Sequence, residues 1–145
     1  MFNTRRRAPA WFRLVGIVLL LWGLMGVAAW AQQLRLGADA MGPASAYDRT
    51  LYASLPRWYN AVYGAAVLGG LTGSVALLAR SRMAQSLFLL SLLAVLVQFG
   101  WLFAATDIVA AKGARTVVPF PLVIAAVAVF EVWFANRSAE RGWIA

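Results

Sequence analysis

The chain has 145 residues, of which 63% are hydrophobic and 12% are charged, and its net charge is +8. Soluble domains carry about 25% charged residues, so this composition indicates a membrane protein. The absence of cysteine and histidine excludes thiolate nucleophiles, histidine bases, histidine-ligated haem and most zinc or copper sites.

Four apolar runs follow one another along the chain. Each is close to the roughly 20 residues that a helix needs to cross about 30 Å of hydrocarbon, and helices satisfy their own backbone groups in lipid. The predicted spans are 14–31, 58–79, 84–105 and 117–135. The predicted fold class is therefore all-α. We expect a four-transmembrane-helix bundle in one domain, residues 1–145, with a longer loop between the first two helices.

The first run has two interpretations. A basic start, an apolar core and the small residues Ala29 and Ala31 are typical of a signal peptide cleaved after Ala31. Trp11 and Trp30, however, bracket the run as they would bracket a permanent span. Signal cores are usually shorter than this run, so we expect the segment to be retained as the first helix.

The segment between the first two runs contains a predicted short helix. Ser45 is a good N-cap residue, and Tyr47, Leu51, Tyr52 and Leu55 recur at the spacing of one helical face. Such a helix is expected to lie on the outer face of the membrane rather than to cross it.

The second run carries small residues at every fourth position, a pattern that lets helix backbones approach closely in lipid. These residues are Ala61, Ala65, Gly69 and Gly73. The pattern is compatible with a dimer interface or with close contact inside one bundle. We favour contact inside the bundle, since four spans in one chain need internal contacts.

Polar side chains in the second and third runs lie at similar depth. Gln98 is expected near the level of Tyr63, with Asn60 slightly closer to the surface. They are candidates either for an outward-facing pocket that hydrogen-bonds a sugar-like solute or for hydrogen bonds that hold helices together. Few polar groups are present, which favours the structural role. Gln98 is predicted to lie about 10 Å along the axis from Glu131.

The fourth run contains a carboxylate, Glu131. Counted from Arg137, it lies about 9 Å inside the membrane end of its helix. An unpaired charge there costs several kcal/mol, so Glu131 is expected to be paired, protonated or reached by water. Arg80 and Arg82, before Arg13, are the predicted ion-pair partners, because arginine side chains reach inward from the membrane edge.

The basic residues predict the orientation. Of the 13 Lys and Arg residues, eight lie on the side of the two termini, which places both termini in the cytoplasm. Trp11, Trp133 and Trp143 are expected at the inner interface, and Trp30 and Trp58 at the outer one.

Five segments carry a resemblance to a known group of proteins. They are "LLWGLMGVAAW", "LYASLPRW", "VLGGLTGSVALLAR", "SLLAVLVQ" and "WFANRSAERGWI". With them the chain resembles a family of short four-span bacterial inner-membrane proteins, some loosely labelled "sugar transporter". The resemblance implies four spans with an uncleaved first helix, and it supplies no binding residues.

The predicted function follows from these observations. We expect a small multi-pass bacterial inner-membrane protein that is not an enzyme and binds no metal or cofactor, because the five acidic residues are scattered. Its expected partners are the lipid bilayer and either further copies of itself or a larger membrane complex. Nucleic acid is not expected, since the arginines form no basic face. The alternative is a small polar-solute transporter that uses Gln98 and Glu131.

Overall fold

The computed structural model describes residues 7–145, which are largely helical. The seven α-helices of this part of the chain are α1 (Ala10–Leu36), α2 (Ala46–Ser54), α3 (Arg57–Leu78), α4 (Met83–Ala105), α5 (Ile108–Lys112), α6 (Ala114–Val117) and α7 (Pro119–Glu140). A 3-10 turn, Gly37–Met41, joins α1 to α2. The described residues contain no strand, so the predicted all-α class is confirmed.

Four of these helices, α1, α3, α4 and α7, are long and apolar enough to cross a membrane. The chain is therefore a multi-pass membrane protein built as a four-helix bundle. Each predicted span coincides with one of the four, although α1 continues to Leu36 and α7 to Glu140. With 27 residues, α1 is about 40 Å long and exceeds the hydrocarbon thickness. The possible cleavage point, Ala31, lies inside this continuous helix.

The helix ends follow from local sequence. Pro56 caps α3 and Pro119 begins α7, positions where a missing amide proton costs nothing. Ser45 caps α2 in a capping box, in which its hydroxyl accepts from the amide of Asp48 at 3.1 Å and the Asp48 carboxylate accepts from the amide of Ser45 at 3.3 Å. The short helix predicted after Ser45 is thus confirmed.

The helices are arranged with α3 between α1 and α4, and with α4 between α3 and α7. Glycines allow these contacts to be close. A β-carbon added at Gly23 of α1 would lie 2.9 Å from the α-carbon of Leu71 in α3. One added at Gly73 of α3 would lie 2.6 Å from the ring of Phe88 in α4. The backbones therefore approach more closely than larger side chains would permit.

The terminal end of the bundle is the end that holds the start of α1, the α3–α4 turn and the residues after α7. Here Trp143 and Ile144 fold back under the helices, and the rings of Phe12 and Trp143 lie 5.6 Å apart between centroids. Trp143 is only 8% exposed. Trp143 is thus packed under the core by the tail, whereas Trp11 and Trp133 are more than half exposed.

The loop end of the bundle is the opposite end, formed by α2, α5, α6 and their connections. Arg49 and Thr50 of α2 are exposed, whereas the predicted apolar face is partly buried. That face consists of Tyr47, Leu51, Tyr52 and Leu55. The hydroxyl of Tyr47 donates to the carboxylate of Asp107 at 2.7 Å, which ties α2 to the end of α4. The amphipathic helix therefore lies across the loop end, as its sequence pattern predicts.

Candidate functional site

Glu131 lies inside the bundle at the meeting point of α3, α4 and α7. It is 3% exposed, and Ala128 and Ala135 on the same face of α7 are buried as well. A β-carbon added at Gly70 of α3 would lie 3.8 Å from Glu131 Oε2 and 3.6 Å from Ser91 Oγ of α4. These distances place the carboxyl group next to the backbone of Gly70 and close to Ser91, with no long side chain from residue 70 between the helices. Its predicted inward orientation agrees with the structure.

Glu131 Oε2 is buried and has no hydrogen-bond partner among the described residues. The two hydroxyl groups nearest in depth are committed to backbone carbonyls. Ser91 Oγ donates to the carbonyl of Ala66 at 2.6 Å, and Ser74 Oγ donates to the carbonyl of Gly70 at 2.8 Å. A buried polar atom without a partner is rare and costs free energy, which makes this position a candidate functional site.

The ion pair predicted for Glu131 is not formed in the described part of the chain, so this prediction is wrong. Among residues 7–145, Glu131 forms no salt bridge with Arg80, Arg82 or Arg13. Arg80 lies about 15 Å further along the α3 axis than Gly70, and its Nε donates to the carbonyl of Trp143 at 2.7 Å. Arg82 and Arg13 are exposed at the terminal end. Glu131 lies deeper than the sequence suggested, because α7 extends beyond Arg137 and the tail covers its end.

Gln98 of α4 is also buried, with 6% exposure, and its side chain faces the hydroxyl of Tyr59 in α3. Tyr63 is partly buried one turn along α3 from Tyr59. Gln98 therefore lies beside a phenol that the sequence did not single out. Such a contact between two transmembrane helices is the usual structural role of a buried amide.

Asn60 belongs to a different group of side chains, between α1 and α3. Its Oδ1 accepts from Gln33 Nε2 at 2.8 Å, its Nδ2 donates to the hydroxyl of Tyr52 at 3.4 Å, and its backbone carbonyl accepts from Trp30 Nε1 at 3.0 Å. We call Trp30, Gln33, Tyr52 and Asn60 the loop-end network. The predicted pocket that combines Asn60 with Gln98 and Tyr63 is therefore wrong, because Asn60 forms hydrogen bonds with Trp30 and Gln33 of α1.

Gln98 and Glu131 remain apart. Ser91, which lies at the level of Glu131, precedes Gln98 by about 10 Å along α4. Open hollows lie at the two ends of the described bundle, and neither is lined by Gln98 or Glu131. The residues that a solute path would require thus lie at separate levels of the bundle.

The small residues of α3 that recur at every fourth position differ in their burial and contacts. Gly69 and Gly73 are buried against α4, where a β-carbon on Gly69 would lie 3.1 Å from the carbonyl oxygen of Leu87. Ala65 is partly buried, and Ala61 is exposed. The inward half of the row therefore serves contacts inside the chain, whereas Ala61 does not contribute to the predicted contact. On the opposite side, Gly64 lies against the indole of Trp30.

Charged groups at the loop end form several contacts between its segments. Lys112 of α5 forms an ion pair with Asp48 of α2, and its hydrogen bond lowers the pKa of that carboxyl. The hydrogen bond to Asp107 raises the pKa of Tyr47 to about 12. These contacts join α2 to the segment between α4 and α7. They are typical of surface connections that hold a loop in place.

No group of three or more acidic residues suited to a metal ion is present in residues 7–145. Comparison of the chain with family models, with curated proteins and with solved structures found no significant match. The candidate site is an unpartnered carboxyl oxygen that is buried among small residues of α3, α4 and α7.

Proposed function

We propose that this chain is a non-catalytic protein of the bacterial inner membrane that acts by associating with other membrane-embedded helices. It does so either as an oligomer of itself or as an accessory subunit of a larger complex. The observation that carries the proposal is the separation of Gln98 from Glu131, whose levels differ by about 10 Å along the bundle. A protein whose polar groups are enclosed in separate places offers binding surfaces rather than a path or a reaction chamber.

The outer surfaces of the bundle support this role. Only 17% of the apolar window of α1 and 22% of that of α7 is buried within the chain, against 39% for α3. Large apolar side chains such as Met25 on α1 and Trp133 on α7 are more than half exposed. These flanking helices therefore have broad apolar faces for lipid or for helices of a partner.

The test is purification from native membranes in mild detergent, followed by cross-linking and native mass spectrometry. We expect a defined stoichiometry, either of this chain with itself or with a second membrane protein. A chain that remains monomeric in detergent and in nanodiscs, and that retains no partner, contradicts the proposal. Reconstitution of that monomer into liposomes then tests the alternative.

The alternative is a transporter of a small polar solute, such as a sugar, that uses Gln98 and Glu131. The unpartnered Oε2 of Glu131 favours it, because ionisable groups inside membranes frequently carry protons or contact solutes. Four short helices enclose little room, so this transporter is expected to be oligomeric. In liposomes, Glu131→Gln should then abolish pH-dependent uptake and leave stability unchanged. Equal uptake by both proteins, or none by the wild type, contradicts the alternative.

The proposed orientation places both termini in the cytoplasm. It is supported by the concentration of arginine at the terminal end, in accord with the positive-inside rule. A reporter that is active only in the cytoplasm should be active when it is fused to the C-terminus. A tag near Gly42 should be accessible from the periplasm. The reverse pattern contradicts the orientation, and a mature N-terminus at Gln32 shows that the first span is removed.

A further inference from the structure

An open groove at the terminal end has the chemistry of an anion site. Its volume is about 690 Å³, within the range of about 300–1,000 Å³ that is usual for small-molecule sites. Arg7, Arg13 and Arg141 line it together with Trp11 and Trp143. We call it the arginine groove. It lies far from Glu131 and Gln98, and it plays no part in the function proposed above.

The three arginines of the groove have no acidic partner in the part of the chain that the structure describes. The ion pairs there join Arg49 to Asp39, Lys112 to Asp48 and Arg137 to Glu140. Within the groove, the guanidinium carbon of Arg141 lies 5.7 Å from the centroid of the Trp143 ring, which orients it without neutralising its charge. Three positive charges therefore line one hollow without a counter-charge from the described chain.

The backbone adds to this positive field. The groove includes Pro9, the N-cap of α1, and no side chain caps the helix there. The first turn of α1 carries no acidic residue. The uncapped amides and the positive end of the helix dipole therefore also favour an anion in the groove. Guanidinium groups bind phosphate particularly well, because their planar donors match its oxygens.

The surroundings of the groove favour a lipid as the source of an anion. From Trp11, an exposed apolar stripe runs along α1 through Leu14, Val18 and Leu21, which are more than half exposed. These residues recur at the spacing of one helical face, so the stripe leads from the groove into the hydrocarbon region. A free anion would not need this stripe, whereas a lipid would place an acyl chain along it.

We propose that the arginine groove binds one anionic phospholipid, with its phosphate between Arg13 and Arg141 and an acyl chain along the exposed face of α1. Trp11, which lines the groove and is 52% exposed, suits a headgroup site at the membrane interface, and its ring is held against that of Trp143 at 5.1 Å between centroids. Clustered arginines next to a span are the sequence feature expected for such recognition.

The test uses the purified full chain in detergent, titrated with dioleoyl phosphatidylglycerol or with dioleoyl phosphatidylcholine and followed by native mass spectrometry. The wild type should bind the first lipid in preference to the second. The double variant Arg13→Ala/Arg141→Ala should bind phosphatidylglycerol about 30-fold more weakly, since each arginine near anionic lipid contributes about fivefold. The matched control Arg82→Ala removes an exposed arginine of the same end outside the groove, and it should change binding less than about twofold.

Three outcomes overturn the proposal. If the wild type does not prefer phosphatidylglycerol to phosphatidylcholine, the groove is not a site for anionic lipid. This measurement does not depend on any variant folding. Equal weakening by Arg82→Ala and by the double variant shows a general effect of surface charge. Competition by glycerol 3-phosphate as strong as that by phosphatidylglycerol shows a site for a soluble anion rather than for a lipid.

Discussion

Polar groups at the loop end are partly buried and those around Glu131 are fully buried, and the two sets differ in how their hydrogen bonds are satisfied. In the loop-end network, Asn60 uses its side-chain oxygen, its side-chain nitrogen and its backbone carbonyl in hydrogen bonds. At the level of Glu131, each nearby serine donates to a backbone carbonyl and one carboxyl oxygen is left without a partner. The hydrogen bonds of the loop-end network are explained by a structural role, whereas the unpartnered oxygen of Glu131 is not.

The difference arises from the residues that surround each group. Around Asn60, long polar side chains from α1 and α2 reach the amide, because the helix α1 and the loop both come close to the membrane surface there. Around Glu131, the neighbours are glycine, alanine and serine, which allow close helix contact but provide few hydrogen-bond donors. Small residues thus bring the helices together and at the same time leave the carboxyl group without partners.

The largest effect is expected where the close contact itself is broken. Gly73→Leu should destabilise the fold by about 3 kcal/mol or prevent folding, since a β-carbon at Gly73 would lie 2.6 Å from the fully buried Phe88 ring. Gly69→Leu should act in the same direction through the backbone of α4. Thermal unfolding in detergent, followed by tryptophan fluorescence, measures both.

Gly100→Leu is the matched control, because a β-carbon at Gly100 of α4 has no atom within 4 Å. It should change the unfolding temperature little. Leu71→Ala should cost less than either of the α3 glycine variants. If Gly73→Leu is as stable as Gly100→Leu, the terminal half of the bundle is not closely packed, and the comparison with the loop end loses its basis.

Replacing the unpartnered carboxyl group separates structure from function. Glu131→Met should raise the free energy of unfolding by about 1 kcal/mol, because an apolar side chain of similar length removes a buried oxygen that has no hydrogen bond. Glu131→Gln should be tolerated, since it keeps the shape and the ability to accept a hydrogen bond. Chemical unfolding in detergent gives the comparison.

A large destabilisation by Glu131→Met contradicts this expectation and shows that the carboxyl group makes a stabilising interaction. If Glu131→Met is more stable and association or uptake is lost, Glu131 is kept for function at a cost in stability. If Glu131→Met is more stable and fully active, the residue has no functional role.

The sequence predicts the spans, the cap at Ser45 and the burial of Glu131, because each depends on residues within one or two helical turns. It does not predict the partners. The interaction between Gln33 and Asn60 joins residues far apart in sequence, and Gln33 lies beyond the predicted end of the first span. The ion pair with Arg80 was wrong for a similar reason, since the tail after α7 binds Arg80 and makes Glu131 deeper than its distance from Arg137 suggests.

A smaller effect is expected from the satisfied network. Gln33→Ala should destabilise the protein by about 0.6 kcal/mol, the average for hydrogen bonds between transmembrane helices. The adjacent Gln32→Ala is the matched control, because Gln32 is exposed on the same helix. Thermal unfolding of the two variants in the same detergent checks the difference. Equal unfolding temperatures contradict the view that the network stabilises the loop end.

The smallest effect concerns pH at the loop end. The hydrogen bond from Lys112 lowers the pKa of Asp48 below its ordinary value of 3.8. A carboxyl group with a lowered pKa in the folded state stabilises the fold at neutral pH, and this contribution is lost as the pH falls below about 3.8. The wild type should therefore lose more stability than Asp48→Asn between pH 5 and pH 3, to a small extent because the ion pair is at the surface.

Tyr47 allows a corresponding test at high pH, where its contribution to stability is lost as the pH rises. The hydrogen bond to Asp107 raises its pKa from 10.0 to about 12, so this contribution is complete below pH 10 and is lost between about pH 10 and pH 12. Tyr47→Phe should remove the loss, and a phenol titration by ultraviolet absorbance should show one tyrosine fewer at the upper end of the range. Identical pH profiles of the wild type and Tyr47→Phe would mean that α2 is not held by this hydrogen bond. The loop end would then be held by the Lys112–Asp48 ion pair and by the loop-end network, in which Tyr52 attaches α2 to Gln33 and Asn60.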